Sequence, residues 1–150
     1  VGGMSENDPE VSRLRALSEK MGLSATVVFV NRVDRQELAT YFSAANVCLV
    51  PSYYESFGLV ALESMACGTP VIASRVGGLS SLIKHGKTGF LMPWRCPESY
   101  ADRLMMILQN SRLSESMRNA SIRYATSLAW TRVAPLVLSA YESLVPTSKS

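Results

Sequence analysis

Short apolar runs alternate with amphipathic segments along most of this chain. Four of the runs are continuous rather than alternating, as expected of strands covered on both faces: 27–30, 47–50, 71–73 and 89–92. Helical spacing or a helix-start signal marks the segments 9–21, 34–45, 58–67, 97–108, 114–128 and 132–144, with a shorter helix near Gly78. Strands that alternate with helices predict an α/β domain with a Rossmann-like parallel sheet and flanking helices.

Individual residues indicate where two of the helices begin and where the domain ends. Asp34 and Glu37 have the spacing of a capping box, so a helix is expected to begin there. Proline is tolerated in the first turn of a helix, so Pro135 places the start of the last helix near residue 132. Trp130 and Tyr141 are predicted to be packing residues. Residues 145–150 are predicted to fray, which leaves 1–144 as one domain.

The composition points to a partner or to a large core. The chain has 150 residues, of which 47% are hydrophobic and 18% charged, against a usual charged share of about 25%. The mean hydropathy is +0.12. Apolar surface that another domain or chain covers would explain these values, and so would a compact domain with a large core.

The charge and the cysteine content of the chain indicate which kinds of ligand and which cellular setting to expect. The net charge of +3 suits a phosphate-bearing ligand, and it leaves peripheral contact with an anionic membrane open. No basic run is interleaved with aromatic residues, so nucleic-acid binding is not predicted. No apolar run has the roughly 20 residues of a membrane span. Three cysteines without a CxxC motif favour a reduced, cytoplasmic setting, with Cys48 buried as a small hydrophobic residue.

The segments that follow the strands are the candidates for a ligand site, because open α/β sheets bind ligands beyond the carboxyl ends of their strands. These segments are 31–34, 51–58 and 74–78. Gly58 opens a helix, and the N–H groups of Gly58, Leu59 and Val60 could bind a phosphate there. An ordinary turn between a strand and a helix is the alternative.

Two glutamates flank this turn. Glu55 lies in the loop, where its carboxylate could accept a hydrogen bond from a sugar hydroxyl. Alternatively, it is simply an acidic residue that the helix dipole stabilises near the helix start. Glu63 lies on the second helical turn, where it could accept from a ribose diol or remain solvated. A carboxylate pair also suggests a glycoside hydrolase, but the spacing does not fix their separation and a phosphate site has no place in that chemistry.

Two further motifs have open interpretations. Gly77 and Gly78 open a second helix at the same edge, either as a flexible turn or as a contact with a sugar or a diphosphate. His85 is the only histidine and lies in a turn, so it is predicted to be solvated and a histidine-based metal site is not expected.

The stretch from Pro51 to Ser74, PSYYESFGLVALESMACGTPVIAS, resembles the signature of the retaining glycosyltransferases of family 4, which have the GT-B fold. The later motifs VGGL at 76–79 and GKTGFL at 86–91 extend the resemblance, which covers residues 1 to about 144. The branch that it resembles most is that of sucrose-phosphate synthase and the mycothiol glycosyltransferases. A glutamate pair alone would be a weak signal, but it is specific in these surroundings.

The resemblance implies roles for individual residues. Glu55 would contact the hydroxyls of the donor sugar at the catalytic centre, and Glu63 would bind the ribose hydroxyls. The segment Phe57, Gly58, Leu59 and Val60 would present its backbone to the sugar and diphosphate. Arg32 and Val33 would line the pocket for the base.

The resemblance also implies an activity. Family members transfer a hexose-type sugar from a nucleotide-sugar with retention, and they usually need no metal or other cofactor. UDP is the favoured nucleotide, with GDP and ADP as alternatives. The acceptor would be bound by an amino-terminal domain that this chain lacks, so the isolated chain is expected to be inactive. A non-catalytic module that binds a nucleotide or a partner is the competing function. A nicotinamide-dependent enzyme is disfavoured, because no GxGxxG follows a strand.

The family pattern places further elements before residue 1, including the first strands of the sheet and an Arg and a Lys that grip the diphosphate. Without those strands, segment 27–30 would lose its neighbour. It would then pair elsewhere, be completed by another chain, or be poorly folded.

Overall fold

The computed structural model describes residues 8–144, which divide into two compact units, one ending at Thr40 and the other beginning at Tyr41. The start of the predicted domain, residues 1–7, and the predicted frayed tail, 145–150, lie outside the described residues.

The first unit contains helix α1, Pro9–Lys20, which confirms the helix predicted at 9–21. Asp8 caps it by accepting from the N–H of Glu10 at 2.8 Å, and Pro9 occupies the first helical position, where its missing N–H costs nothing. Helix α2, Arg35–Ala44, is also confirmed. The Asp34 carbonyl accepts its first bonds, from the N–H groups of Glu37 and Leu38.

The predicted strand at 27–30 is wrong. This segment has no regular secondary structure, and the Val27 N–H donates to the carbonyl of Leu23 in a local turn. Val28 is 79% exposed. A strand is stable only when a neighbour accepts and donates its ladder hydrogen bonds, and no described strand pairs with this segment. Its β-branched composition alone was therefore an insufficient signal.

The second unit is built on a three-stranded parallel sheet in the order β1-β2-β3. The strands are β1 Cys48–Val50, β2 Val71–Ser74 and β3 Gly89–Met92. In register, Leu49 lies opposite Ile72 and Ile72 opposite Phe90. Three of the four predicted strands are thus confirmed, within one residue at each end.

Successive residues of β2 enter two different cores, since side chains alternate between the faces of a strand. Val71 and Ala73 belong to one cluster, together with residues of the helices after β1 and β2. Ile72 belongs to the other, with Phe90 and Met117. Every residue of β2 and β3 is buried, as predicted for strands covered on both faces. On β1, however, Leu49 is 46% exposed, so one side of this edge strand is not covered by the described residues.

Helices pack on both sides of this sheet. In chain order they are α3 Leu59–Ala66, α4 Gly77–Leu82, α5 Pro97–Gln109, α6 Ser111–Ser127 and α7 Trp130–Leu144. Helices α3 and α4 pack on the first core, while α5 packs against β2, β3 and α6. All five predicted helices are confirmed, and α6 begins three residues earlier than expected because Asn110 caps it through the Leu113 N–H.

Helix α7 corrects two predictions. It begins at Trp130 rather than near 132, so Pro135 lies inside the helix instead of in its first turn. The cost is one missing backbone hydrogen bond. Trp130 and Tyr141 are 81% and 67% exposed, so they are not packing residues within the described part of the chain. Across residues 8–144, no helix has the length and apolar character that crossing a membrane requires.

Cys48, at the start of β1, is half-buried rather than fully buried. Burial raises the pKa of its thiol, and a hydrogen bond with Ser64 offsets part of that rise.

Tyr100 tethers α5 to the end of β2, because its hydroxyl lies 2.9 Å from that of the buried Ser74. We expect Tyr100→Phe to lower the free energy of unfolding by about 1 kcal/mol, the usual net value of such a bond. Tyr141→Phe, at an exposed hydroxyl, is the control and is expected to change it by less than about 0.5 kcal/mol. Urea unfolding measures both, and equal values for the two variants would contradict the tether.

The same tether predicts a pH dependence. Burial raises the pKa of Tyr100, and the hydrogen bond with Ser74 lowers it to a smaller extent. A raised pKa in the folded state means that the contribution of Tyr100 is fully present below the unfolded pKa of about 10. It is lost as the pH rises through the folded pKa. Tyr100→Phe should therefore flatten this alkaline part of the stability curve.

Candidate functional site

Three segments meet the carboxyl-terminal edge of the sheet, which we call the rim. Residues 51–58 follow β1 and lead into α3, residues 75–76 follow β2 and lead into α4, and residues 93–96 follow β3 and lead into α5. Parallel strands bring all three segments to one side of the sheet, which is where such sheets bind ligands.

Gly58 makes the turn into α3 in a conformation that other residues rarely adopt, with φ at 96°. A Cβ at this position would also lie 2.9 Å from the Cδ2 of Leu79. The backbone angle favours glycine here, a Cβ would also displace the end of the Leu79 side chain, and the turn aims the start of α3 at the rim.

Glu55 organises this turn with its side chain and its backbone. Its Oε1 accepts from the Gly58 N–H at 3.2 Å, so Gly58 does not offer the free N–H that the sequence predicted. The first hydrogen bond of α3 joins the Leu62 N–H to the Gly58 carbonyl at 3.0 Å. Leu59, Val60 and Ala61 therefore present the N–H groups without an acceptor inside the helix.

The start of α4 holds the same loop from the other side. The Gly78 N–H donates to the Glu55 carbonyl at 2.9 Å. A Cβ on Gly77 would lie 2.0 Å from that carbonyl oxygen, and a Cβ on Gly78 would lie 2.5 Å from the carbonyl oxygen of Ser56. Only two glycines allow the backbones to approach so closely.

This positioning role of the glycine pair was missed at the sequence level. Sequence reasoning offered a flexible turn or a direct contact with the ligand. The available signal was two adjacent glycines at a helix start on the rim, but which backbone they approach is a tertiary contact that spacing does not reveal.

The two glutamates lie on either side of the start of α3. Both are half-buried, Glu55 in the loop and Glu63 on the second turn of the helix. The side chains of Phe57, Leu59 and Val60 are about half exposed or more, at 51%, 61% and 50%. The rim thus offers carboxylate acceptors, backbone donors and apolar surface within one short segment.

The residues predicted to line the base pocket are not in any of the three segments of the rim. Arg32 is exposed and Val33 half-buried, and both belong to the first unit. Segment 27–30 is not a strand of the sheet, so residues 31–34 do not follow a strand as predicted. Their contact with the base stays a prediction from the family pattern alone.

His85 is exposed, as predicted, but it also has structural contacts. Its Nδ1 accepts from the Leu91 N–H at 3.1 Å, and its ring packs edge-to-face on Phe90. Within residues 8–144, no three His, Cys, Asp or Glu side chains are grouped as metal ligands would be.

Solved structures share this fold. Sucrose-phosphate synthase from Thermosynechococcus elongatus superposes with a TM-score of 0.85 at 39% identity, over 95% of this chain and 37% of that one. The Anabaena protein HepE, solved in complex with UDP, gives a TM-score of 0.75 at 26% identity, over 89% of this chain and 36% of that one.

Sequence comparison agrees. A curated D-inositol 3-phosphate glycosyltransferase from Kribbella flavida is 40% identical over 98% of this chain and 35% of its own length, so the chain spans about a third of such relatives. The family model for glycosyl transferases group 1 matches residues 1–124. With a GT-B-type α/β fold and a match over most of its length, this chain belongs to the glycosyl transferases group 1 family.

Proposed function

We propose that this chain binds the nucleotide-sugar donor of a retaining glycosyltransferase. The whole protein would move a hexose-type sugar from the donor to an acceptor held by an amino-terminal domain. UDP is the favoured nucleotide, with GDP and ADP as alternatives, and the relative solved with UDP supports that choice. A cytoplasmic setting and the absence of any need for a metal remain parts of the proposal.

The observation that carries the proposal is the loop at 55–58. The glycine pair of α4 fixes its backbone, and α3 begins directly after it with three N–H groups that lack intrahelical acceptors. A diphosphate at this helix start would gain both the N–H donors and the favourable dipole. Glu55 would then face the sugar and Glu63 the ribose.

Such a site acts by holding the donor in position and by stabilising the charge that develops on it. Fixing the donor sugar against Glu55 aligns the bond that breaks, and donors aimed at the departing diphosphate stabilise the charge that develops on it. In this proposal the amino-terminal domain holds the acceptor, so we expect the chain alone to bind the donor without transferring the sugar.

Glu55→Ala tests the sugar-facing role. One charge-assisted hydrogen bond lost from the sugar should weaken UDP-glucose binding about 10-fold or more, while UDP, which has no sugar at that position, should lose much less. Dissociation constants from NMR titration of this chain with both ligands measure the difference. Equal losses for the two ligands contradict the role.

Glu55→Gln is the matched variant. Its amide oxygen can still accept from the Gly58 N–H, so the turn survives while the charge is lost. We expect UDP-glucose binding between that of the native chain and that of Glu55→Ala. A Gln variant that binds both ligands as tightly as the native chain would point to a side chain that only holds the turn.

The competing function, a non-catalytic module of the same fold, makes the same binding predictions for this chain. It differs in the longer protein that includes the amino-terminal domain, where it predicts donor binding without transfer. A glycosyl-transfer assay on that protein distinguishes the two.

A further inference from the structure

A cluster of two aromatic rings and one arginine lies on the rim beside the loop at 55–58. Tyr53 follows β1, while Trp94 and Arg95 follow β3. The two rings meet edge-to-face, with centroids 5.1 Å apart and planes at 69°. The contact therefore joins the segments after the two outer strands of the sheet.

Arg95 is held against both rings. Its Cζ lies 4.4 Å from the Trp94 centroid and 5.7 Å from the Tyr53 centroid, within the range of cation–π attraction. No carboxylate of residues 8–144 forms an ion pair with it, although an arginine offers five N–H donors. The cluster thus fixes a cation in place without neutralising it.

The backbone of Arg95 is also unusual. Its φ is 57°, and among the described residues it is the one non-glycine residue with positive φ. This conformation costs a side chain with a Cβ more than it costs glycine. Such outliers gather at ligand sites, where the surroundings hold them.

The exposed parts of the cluster define what it could bind. Tyr53 is 67% and Trp94 46% exposed, so aromatic surface remains available to the C–H groups of a ring. A guanidinium suits a phosphate or a carboxylate through paired hydrogen bonds. A ligand that carries both a hydroxylated carbon ring and an anion would use all three side chains.

We propose that Tyr53, Trp94 and Arg95 form a second ligand subsite on the rim, which takes an anionic group attached to a sugar or polyol ring. The proposal rests on the proposed function in one respect only, namely that the donor occupies the start of α3 and leaves this cluster to a different ligand. The subsite is separate from the start of α3, where the donor diphosphate is placed.

Tryptophan fluorescence gives a direct test. The chain has two tryptophans, so Trp130→Phe, on the exposed helix α7, leaves Trp94 as the reporter. This variant is titrated with glucose 6-phosphate, glucose and inorganic phosphate at constant ionic strength. We expect saturable quenching by glucose 6-phosphate and much weaker binding of glucose. Absence of saturable quenching by glucose 6-phosphate overturns the subsite.

Substitutions in this background separate the two halves of the subsite. Arg95→Gln should weaken glucose 6-phosphate about 10-fold or more, and Arg123→Gln, at an exposed arginine of α6, should leave it unchanged. Tyr53→Ala should weaken glucose 6-phosphate but not inorganic phosphate. Equal effects of the two arginine variants would reduce the binding to general surface charge and overturn the subsite.

Saturating UDP serves to separate this subsite from the donor site. Unchanged quenching by glucose 6-phosphate in its presence supports two separate sites, and competition overturns that separation. UDP binding itself is followed by NMR on the same sample. Failure of UDP to bind contradicts the proposed function alone, whereas UDP binding without glucose 6-phosphate binding contradicts the subsite alone.

Discussion

Gly78→Ala is expected to weaken UDP-glucose binding by about 10- to 100-fold, because a shifted loop would lose a hydrogen bond to the charged diphosphate, which is worth about 1.5–3 kcal/mol. The added Cβ would lie 2.5 Å from the Ser56 carbonyl oxygen and 2.6 Å from the Phe57 Cα. These are backbone atoms that cannot rotate away, so the loop must shift. The φ of Gly78 is not positive, so alanine itself is not strained there and the loop takes the whole effect.

A matched control separates this displacement from a general loss of stability. Gly86 has a φ of 76°, and a Cβ on it would meet no atom within 4 Å. Gly86→Ala should therefore lower the free energy of unfolding by about 1 kcal/mol through backbone strain while donor affinity stays the same. Titrations and urea unfolding of both variants give the comparison. Donor binding that survives Gly78→Ala, or falls equally in Gly86→Ala, contradicts the positioning role.

Glu63→Ala is expected to weaken UDP and UDP-glucose to the same extent, because both ligands carry the ribose. Loss of two charge-assisted hydrogen bonds to the diol should cost about 2–4 kcal/mol of binding free energy. Glu115→Gln, at an exposed glutamate of α6, is the control and should change neither constant.

The contrast with Glu55 makes this a test of the whole arrangement. Glu63 variants should lose both ligands, and Glu55 variants mainly the sugar-bearing one. An unchanged affinity for both ligands in Glu63→Ala would remove Glu63 from the site, whereas a selective loss of UDP-glucose would reassign it to the sugar.

Local signals in the sequence predicted most of the fold. The buried strands β2 and β3 were found because both faces are covered, which leaves a continuous apolar run. Helix α1 was found from the helical spacing of its apolar residues. These features depend on residues near one another in the chain.

Features that depend on distant residues were not predicted. Segment 27–30 has strand composition, but pairing requires a neighbour, and composition does not supply one. The glycine pair at 77–78 was noticed, while its contact with the Glu55 loop, more than 20 residues away in sequence, was not. The capture of the Gly58 N–H by the Glu55 carboxylate was missed for a related reason, since loop geometry decides it.

The central claim is that the donor binds at the loop 55–58 and the first turn of α3. The most direct measurement is a titration of this chain with UDP-glucose, followed through the backbone amide signals in ¹H–¹⁵N NMR spectra. We expect the largest saturable shifts at Gly58, Leu59, Val60 and Ala61, with a further shift at Gly78. Saturable shifts concentrated on α5, α6 or α7, with the amides of 58–61 unmoved, would contradict the claim.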